Sequence, residues 1–178
     1  KGFLEKCAIE LQEESFCLDV GCGPAGIFTI LEQQQVVAVD PLADQYEEKI
    51  KHFDKAWYPN ISFETVAFEE YTVSAPFDMV FCLNVINHVR DWEQSMQRLW
   101  SCVAEGGQLI LSVDAHNYRL LKPIFRWLPG DILHPQQHSL EEYKTYIDSY
   151  FIGLKSIRSI LIKKGGIFNY YALVMEKD

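Results

Sequence analysis

Short, nearly continuous apolar runs recur along the chain, separated by stretches in which apolar residues return every three or four positions. Runs of the first kind lie at 16–20 (FCLDV), 36–39 (VVAV), 61–66 (ISFETV), 77–83 (FDMVFCL) and 108–113 (QLILSV). Such runs, bounded by turn residues, predict strands buried on both faces, as in a parallel sheet. The stretches between them predict helices. Residues 3–11 place Phe3, Leu4, Cys7, Ala8 and Leu11 at helical spacing. Residues 24–34 open with Pro24, which suits a first helical turn because its missing N–H has no intrahelical partner there. Residues 42–53 read as a polar surface helix, and 91–104 carry Trp92, Met96, Leu99, Trp100 and Val103 on one face. Glu105-Gly106-Gly107 predicts the end of that last helix. Ser139, with Glu142 three residues on, has the form of a capping box and predicts a helix over 139–151. Two β-rich runs, 154–162 and 167–175, flank Lys163-Lys164-Gly165-Gly166 and predict an antiparallel hairpin. Residues 67–71 are expected to be a loop or short turn, and 84–89 a loop or the start of a helix.

Strand and helix thus alternate about five times before the hairpin, the order of an α/β fold with right-handed crossovers between parallel strands. Ligands of such sheets bind beyond the carboxyl ends of the strands. Four strand ends converge there: 19–23, 40–41, 67–68 and 83–85. Residues 115–138 fit neither pattern. They are rich in aromatic residues (Tyr118, Phe125, Trp127) and long for a connection, so they are expected to form a lid or substrate-binding insert within a single domain, 1–178.

Composition narrows the partners. The chain has 178 residues, of which 48% are hydrophobic and 23% charged, an ordinary balance for one globular domain. The net charge of -9 disfavours a nucleic-acid partner, which usually requires a basic footprint. No apolar run approaches the ~20 residues of a membrane span, and no signal peptide is visible, so a cytoplasmic setting is expected. The cysteines are Cys7, Cys17, Cys22, Cys82 and Cys102, an odd number with no C-x-x-C pair. They read as small buried hydrophobes in a reducing compartment, and no metal site is expected. His134 and His138 are four apart, but Pro135 between them argues against one helix presenting both to a metal.

The candidate chemistry centres on 18–26, LDVGCGPAG. Gly21, Gly23 and Gly26 fit G-x-G-x-x-G between a predicted strand and a predicted helix, the arrangement of a nucleotide site. Asp40 ends the second strand about twenty residues on, where a carboxylate can accept both hydroxyls of a ribose or cap the following helix. Asp19 and Pro24 select among nucleotides. A carboxylate two residues before Gly21 repels a pyrophosphate, and Pro24 removes a backbone donor that an anion would use. A ligand with a cationic end reverses that preference, and S-adenosylmethionine carries an ammonium and a sulfonium but no phosphate. Asp19 then either faces the cation, directly or through water, or caps the turn.

LDVGCGPAG, VVAVDP at 36–41, FDMVFCLNVINHVRDW at 77–92 and EGGQLILSV at 105–113 together resemble the class I S-adenosylmethionine-dependent methyltransferases of the broad small-molecule group. The resemblance implies a Rossmann-like, mostly parallel sheet of seven strands, with helices on both faces and the last strand antiparallel. It implies that the backbone of Gly21, Cys22 and Gly23 runs along the methionine part of the cofactor. Asp40 would hold the ribose, Pro41 would touch adenine, and Leu83 and Asn84 would line the methyl side. His88 matches a histidine often found after the fourth strand; a packed helix residue is the alternative. Many relatives carry an aspartate where Ala67 stands, so the adenine contact would fall to the Phe68 backbone, with Glu69 as a substitute carboxylate. The implied reaction is direct displacement of the methyl group by a nucleophile of a small-molecule or lipid-like acceptor. His116, His134 and His138 are the candidates for a general base or for lining the acceptor pocket. The segment after the fourth strand lacks the Asn/Asp-Pro-Pro-aromatic turn of amino-group methyltransferases acting on bases. No Pro-Cys dipeptide is present for cytosine C5 chemistry. An NAD(P)-dependent oxidoreductase and a non-catalytic partner subunit are the competing readings.

Overall fold

A computed structural model describes residues 2–116, 138–166 and 168–178. Its centre is a seven-stranded sheet in the order β3-β2-β1-β4-β5-β7-β6. The strands are β1 (Phe16–Val20), β2 (Gln35–Val39), β3 (Ile61–Glu64), β4 (Phe77–Leu83), β5 (Val103–His116), β6 (Leu154–Lys163) and β7 (Phe168–Lys177). The first five are parallel, and β7 runs antiparallel between β5 and β6. The most continuous apolar runs became the inner strands β1, β2, β4 and β5, where they are covered on both faces, while β3 from the more polar 61–66 run lies at the edge. On one face, α3 (Trp92–Ser101) and α4 (Leu140–Tyr150) bury Met96, Leu99, Tyr143 and Ile147 against Val80, Leu109 and Leu173. On the other, α1 (Gly2–Cys7) and the segment after β1 bury Leu4, Cys7, Phe28 and Leu31 against Phe81, Ile110 and Val174. Tyr46 of α2 (Ala43–Lys49) packs on that second face too. The expected α/β architecture, with a parallel sheet and a C-terminal hairpin, is therefore the one observed.

The order in which strands are added reverses between β1 and β4, which places a crevice at the carboxyl ends of these two parallel neighbours. The helix caps that frame the sheet are local. Asp91 accepts the Gln94 N–H at 2.9 Å to start α3. The Ser139/Glu142 capping box starts α4 as expected.

Several elements depart from expectation. Residues 24–34 form no α-helix but two 3-10 turns, Gly23–Ala25 and Ile27–Ile30, separated by Gly26 in an extended conformation. Distant side chains take over the backbone groups a helix would use. Asp19 of β1 accepts the Phe28 N–H at 3.2 Å, and the Asn60 amide donates to the carbonyls of Leu31 and Gln34 at 2.7 and 2.8 Å. The first helix stops at Cys7 because Ala8 turns to φ 48, and α2 stops at Lys49 where Ile50 becomes extended. β3 is shorter than 61–66. Glu105-Gly106-Gly107 ends no helix: α3 stops at Ser101 and β5 begins at Val103. Register jumps from Phe77↔Val103 to Met79↔Gln108, so residues 104–107 bulge from the strand, with Gly106 at φ 74. The insert expected at 115–138 falls almost wholly outside the described residues. His116 is the last residue of β5, and His138 lies just before α4.

Candidate functional site

At the carboxyl ends of β1 and β4 lies a cleft of about 470 Å³, lined by Asp19, Gly21, Cys22, the segment from Pro24 to Ile27, Thr29, Ile30, Leu83 and Asn84. Phe3 from α1 and Tyr170 from β7 complete its walls. Its size falls within the range of small-ligand pockets.

The glycine turn is bent by two left-handed residues, Gly21 at φ 64 and Gly23 at φ 56. They differ in their surroundings. A methyl group on Gly21 would collide with the Val85 side chain, so the turn presses against the segment after β4. A methyl group on Gly23 would meet nothing within 4 Å, so the backbone there is open to a ligand. The Gly21 N–H donates to the Val39 carbonyl at 2.7 Å, tying the turn to the end of β2.

Two buried carboxylates bond the glycine turn and the segment that follows it. Asp19 is 2% exposed. It accepts the Phe28 N–H at the second 3-10 turn and also lines the cleft. Burial lifts its pKa from the ordinary carboxylate range to about 7, opposed by the backbone hydrogen bonds from Phe28 and Ile27. Asp40 is 7% exposed. Its Oδ2 accepts the Gly23 N–H at 3.0 Å, and its Oδ1 accepts the Leu42 N–H at 2.8 Å and the Tyr46 hydroxyl at 3.1 Å. It therefore couples the glycine turn to the start of α2.

The other expected site residues spread along the same sheet edge. Cys22 is buried in the turn, and burial drives its thiol pKa far up, which suits a spacer and not a nucleophile. Pro41 is exposed beside Asp40. Ala67 and Phe68 form a turn after β3, with the Phe68 ring buried under the Arg98 guanidinium and the Phe68 carbonyl accepting from Arg98 Nε at 3.1 Å. Leu83 and Asn84 line the cleft directly. His88 is exposed on a 3-10 turn, Ile86–His88, and is not packed within a helix.

His138 stacks on Trp92, with ring centroids 4.3 Å apart, between α3 and α4; it is not among the cleft's lining residues. His134 lies outside the described residues. Phe3 and Tyr170 are cleft residues that sequence reasoning missed. Tyr170 had a signal: in an antiparallel last strand, the beginning of the strand meets the carboxyl edge of its parallel neighbours. Phe3 had none, since a helix packed on the sheet looks the same in sequence wherever it ends.

An open α/β sheet with this strand order, and a glycine-turn cleft at its switch point, defines a Rossmann-like methyltransferase domain. The methyltransferase-domain family matches residues 2–161, and the chain belongs to it. This agrees with the resemblance to class I S-adenosylmethionine-dependent enzymes carried by LDVGCGPAG. The chain is 31% identical over 123 residues to a ubiquinone biosynthesis O-methyltransferase of Bradyrhizobium sp. (strain ORS 278), a match covering 63% of this chain and 47% of that protein. The chain thus spans about half the length of the curated relatives it matches. Among solved structures it resembles the N-methyltransferase NodS from Bradyrhizobium japonicum WM9 in complex with S-adenosyl-L-homocysteine. The TM-score is 0.69 at 14% identity, covering 99% of this chain and 84% of that one. It also resembles magnesium protoporphyrin IX methyltransferase from Synechocystis PCC 6803 with bound S-adenosylhomocysteine, at a TM-score of 0.64 and 20% identity, covering 99% and 79%. At these identities the structural likeness establishes the fold alone.

Proposed function

We propose that this domain binds S-adenosylmethionine in the cleft between the ends of β1 and β4 and transfers its methyl group to a small-molecule or lipid-like acceptor. The observation that carries the choice of cofactor is the charge of the cleft. Among the described lining residues Asp19 is the one Asp or Glu, and none is a Lys or Arg. A pyrophosphate would meet a buried carboxylate and a proline without an N–H, whereas an ammonium or sulfonium would meet a compensating charge. The opening above Gly23 leaves room for a ligand beside the turn.

When bound, the cofactor supplies a methyl group on a cationic sulfur. Asp19 would balance the cationic methionine end, and the Gly21-Cys22-Gly23 backbone would guide it. Asp40 would turn its remaining acceptor capacity to the ribose hydroxyls, and Pro41 with the Ala67-Phe68 turn would flank the adenine. Phe3, Ile27, Ile30 and Leu83 exclude water from the reacting end, and Asn84 and Tyr170 supply polar groups there. Catalysis in such a site is chiefly alignment and desolvation. The relatives' names favour a hydroxyl acceptor, whose oxygen forms the new C–O bond as the sulfur departs neutral. The acceptor proton then needs a base, for which His116 and His134 are the candidates.

Among the described residues no helix is long and apolar enough to cross a membrane, and the five cysteines are free and buried. Free thiols support the proposal of a reducing, cytoplasmic setting.

Thermal shift with separate ligands tests this reading. S-adenosylhomocysteine should raise the melting temperature, and NADH should not. Stabilisation by NADH alone would overturn the assignment, and a folded sample that binds neither ligand would favour a non-catalytic partner subunit.

A further inference from the structure

One cleft residue without the freedom of glycine holds a left-handed backbone. Asn84, immediately after β4, has φ 62. Asparagine tolerates this region better than most residues but still carries strain there, and strain of this kind persists only where the surroundings enforce it. Here one contact does so. The Asn84 N–H donates to Ser112 Oγ at 2.8 Å. Ser112 is 0% exposed, on the innermost parallel stretch of β5, in register with Leu83 of β4 and between the buried Leu111 and Val113. A hydroxyl at such a position needs a partner, and its oxygen accepts this N–H. The phenol of Tyr170 lies beside the side chains of both Ser112 and Asn84. The ends of β4 and β7 thus bring Asn84 and Tyr170 to the cleft, with the buried Ser112 of β5 behind them.

We propose that Ser112 is a positioning residue for the cofactor: its hydroxyl clamps the Asn84 backbone in the left-handed conformation and so sets the Leu83-Asn84 wall of the cleft. Ser112 itself is absent from the cleft lining and acts through Asn84. The clamp is cooperative with the glycine turn, because Val85, the next residue, closes on Gly21. A shift of the Asn84 backbone therefore moves both sides of the methionine end. This inference rests on the proposal that the cleft binds S-adenosylmethionine.

The test is a binding cycle read by calorimetric titration with S-adenosylhomocysteine, at a temperature where every variant is folded. Ser112→Ala should weaken binding about tenfold, the scale of one buried hydrogen bond lost. In the Asn84→Gly background the same change should cost less than about twofold, because glycine holds positive φ without a clamp. A general loss of packing would give equal costs in both backgrounds, and that result would overturn the proposal. A second comparison does not depend on Ser112. Asn84→Gly and Asn84→Ala both lack the amide, but only glycine accepts φ 62 without strain, so the glycine variant should bind at least about fivefold tighter. Equal affinities would show that the backbone conformation is irrelevant. Absence of binding by the unsubstituted protein would instead remove the cofactor assignment itself.

Discussion

The backbone N–H of Gly23 donates to Asp40 Oδ2 over 3.0 Å, so the end of β2 fixes the turn that follows β1. One carboxylate thereby serves three donors on two elements: Gly23 in the turn, and Leu42 and Tyr46 at the start of α2. Asp40→Ala removes all three acceptor sites at once. It should weaken S-adenosylhomocysteine binding at least about tenfold and also lower stability by about 1–3 kcal/mol, the cost of orphaned donors. Asp40→Asn keeps one carbonyl oxygen and should lie between. Calorimetric titration alongside urea denaturation separates the two effects. Unchanged affinity in a destabilised Asp40→Ala variant would confine Asp40 to a structural role.

Asp19 makes stability depend on pH in an uncommon direction. Its folded pKa is raised to about 7, above the ordinary value of 3.8. Between these values the native state holds a proton that the unfolded state has lost, so stability falls as pH rises. The contribution is full below the unfolded pKa and is lost by the time pH passes about 7, with a total on the order of a few kcal/mol. Asp19→Asn cannot ionise and retains an oxygen to accept from Phe28. Its stability should be flatter than wild type from pH 4 to 7, with an advantage at pH 8. The ammonium of S-adenosylhomocysteine, placed beside Asp19, would pull its pKa down, so binding near pH 6 should release a proton. Denaturation curves across that range and titration in buffers of different ionisation enthalpy check both. A variant as pH-sensitive as wild type would show that another group carries the dependence.

Much of this architecture was readable because it depends on local pattern. Continuous apolar runs such as FDMVFCL can be buried only in the middle of a sheet, and Ser139 with Glu142 caps α4 through neighbours in sequence. Residues 24–34 were misread because Ile27, Ile30 and Leu31 have helical spacing, while the groups that prevent the helix come from elsewhere. Asp19 and Asn60 reach that backbone from β1 and from the turn before β3. The Gly106-Gly107 pair reads as a helix stop, yet the same left-handed freedom serves a bulge equally well. The cleft itself was half legible. The glycines and acidic strand ends announce themselves, whereas Phe3 and Tyr170 join it only through tertiary packing.

The cysteines should be chemically silent in the folded protein. All five are buried, and burial raises every thiol, Cys17 to about 12 and Cys102 to about 11. The thiolate is the reactive form, so native protein at pH 8 should release almost no chromophore from a disulfide reagent until denaturant is added. Rapid labelling of one native thiol would point to Cys22, the cysteine that lines the cleft, and would mean that the turn opens.

Gly21 and Gly23 stand two residues apart with similar positive φ, and substitution should separate them by function. Both have positive φ, so alanine strains the backbone at either position by about 1–2 kcal/mol. At Gly21 the new methyl also strikes Val85, adding an overpacking cost of about 1–3 kcal/mol. Gly21→Ala should therefore lose stability heavily, and Val85→Ala in the same chain should restore the packing part but not the backbone part. At Gly23 the methyl enters open space, so the stability loss stops at the backbone strain. That open space is where the ligand is proposed to lie, so Gly23→Ala should weaken S-adenosylhomocysteine binding more than its stability loss explains. Melting temperatures with and without the ligand distinguish the cases. Gly21→Ala should begin lowest and still shift upward, whereas Gly23→Ala should begin a few degrees below wild type and shift little. A full ligand shift in Gly23→Ala would place the ligand away from that face of the turn.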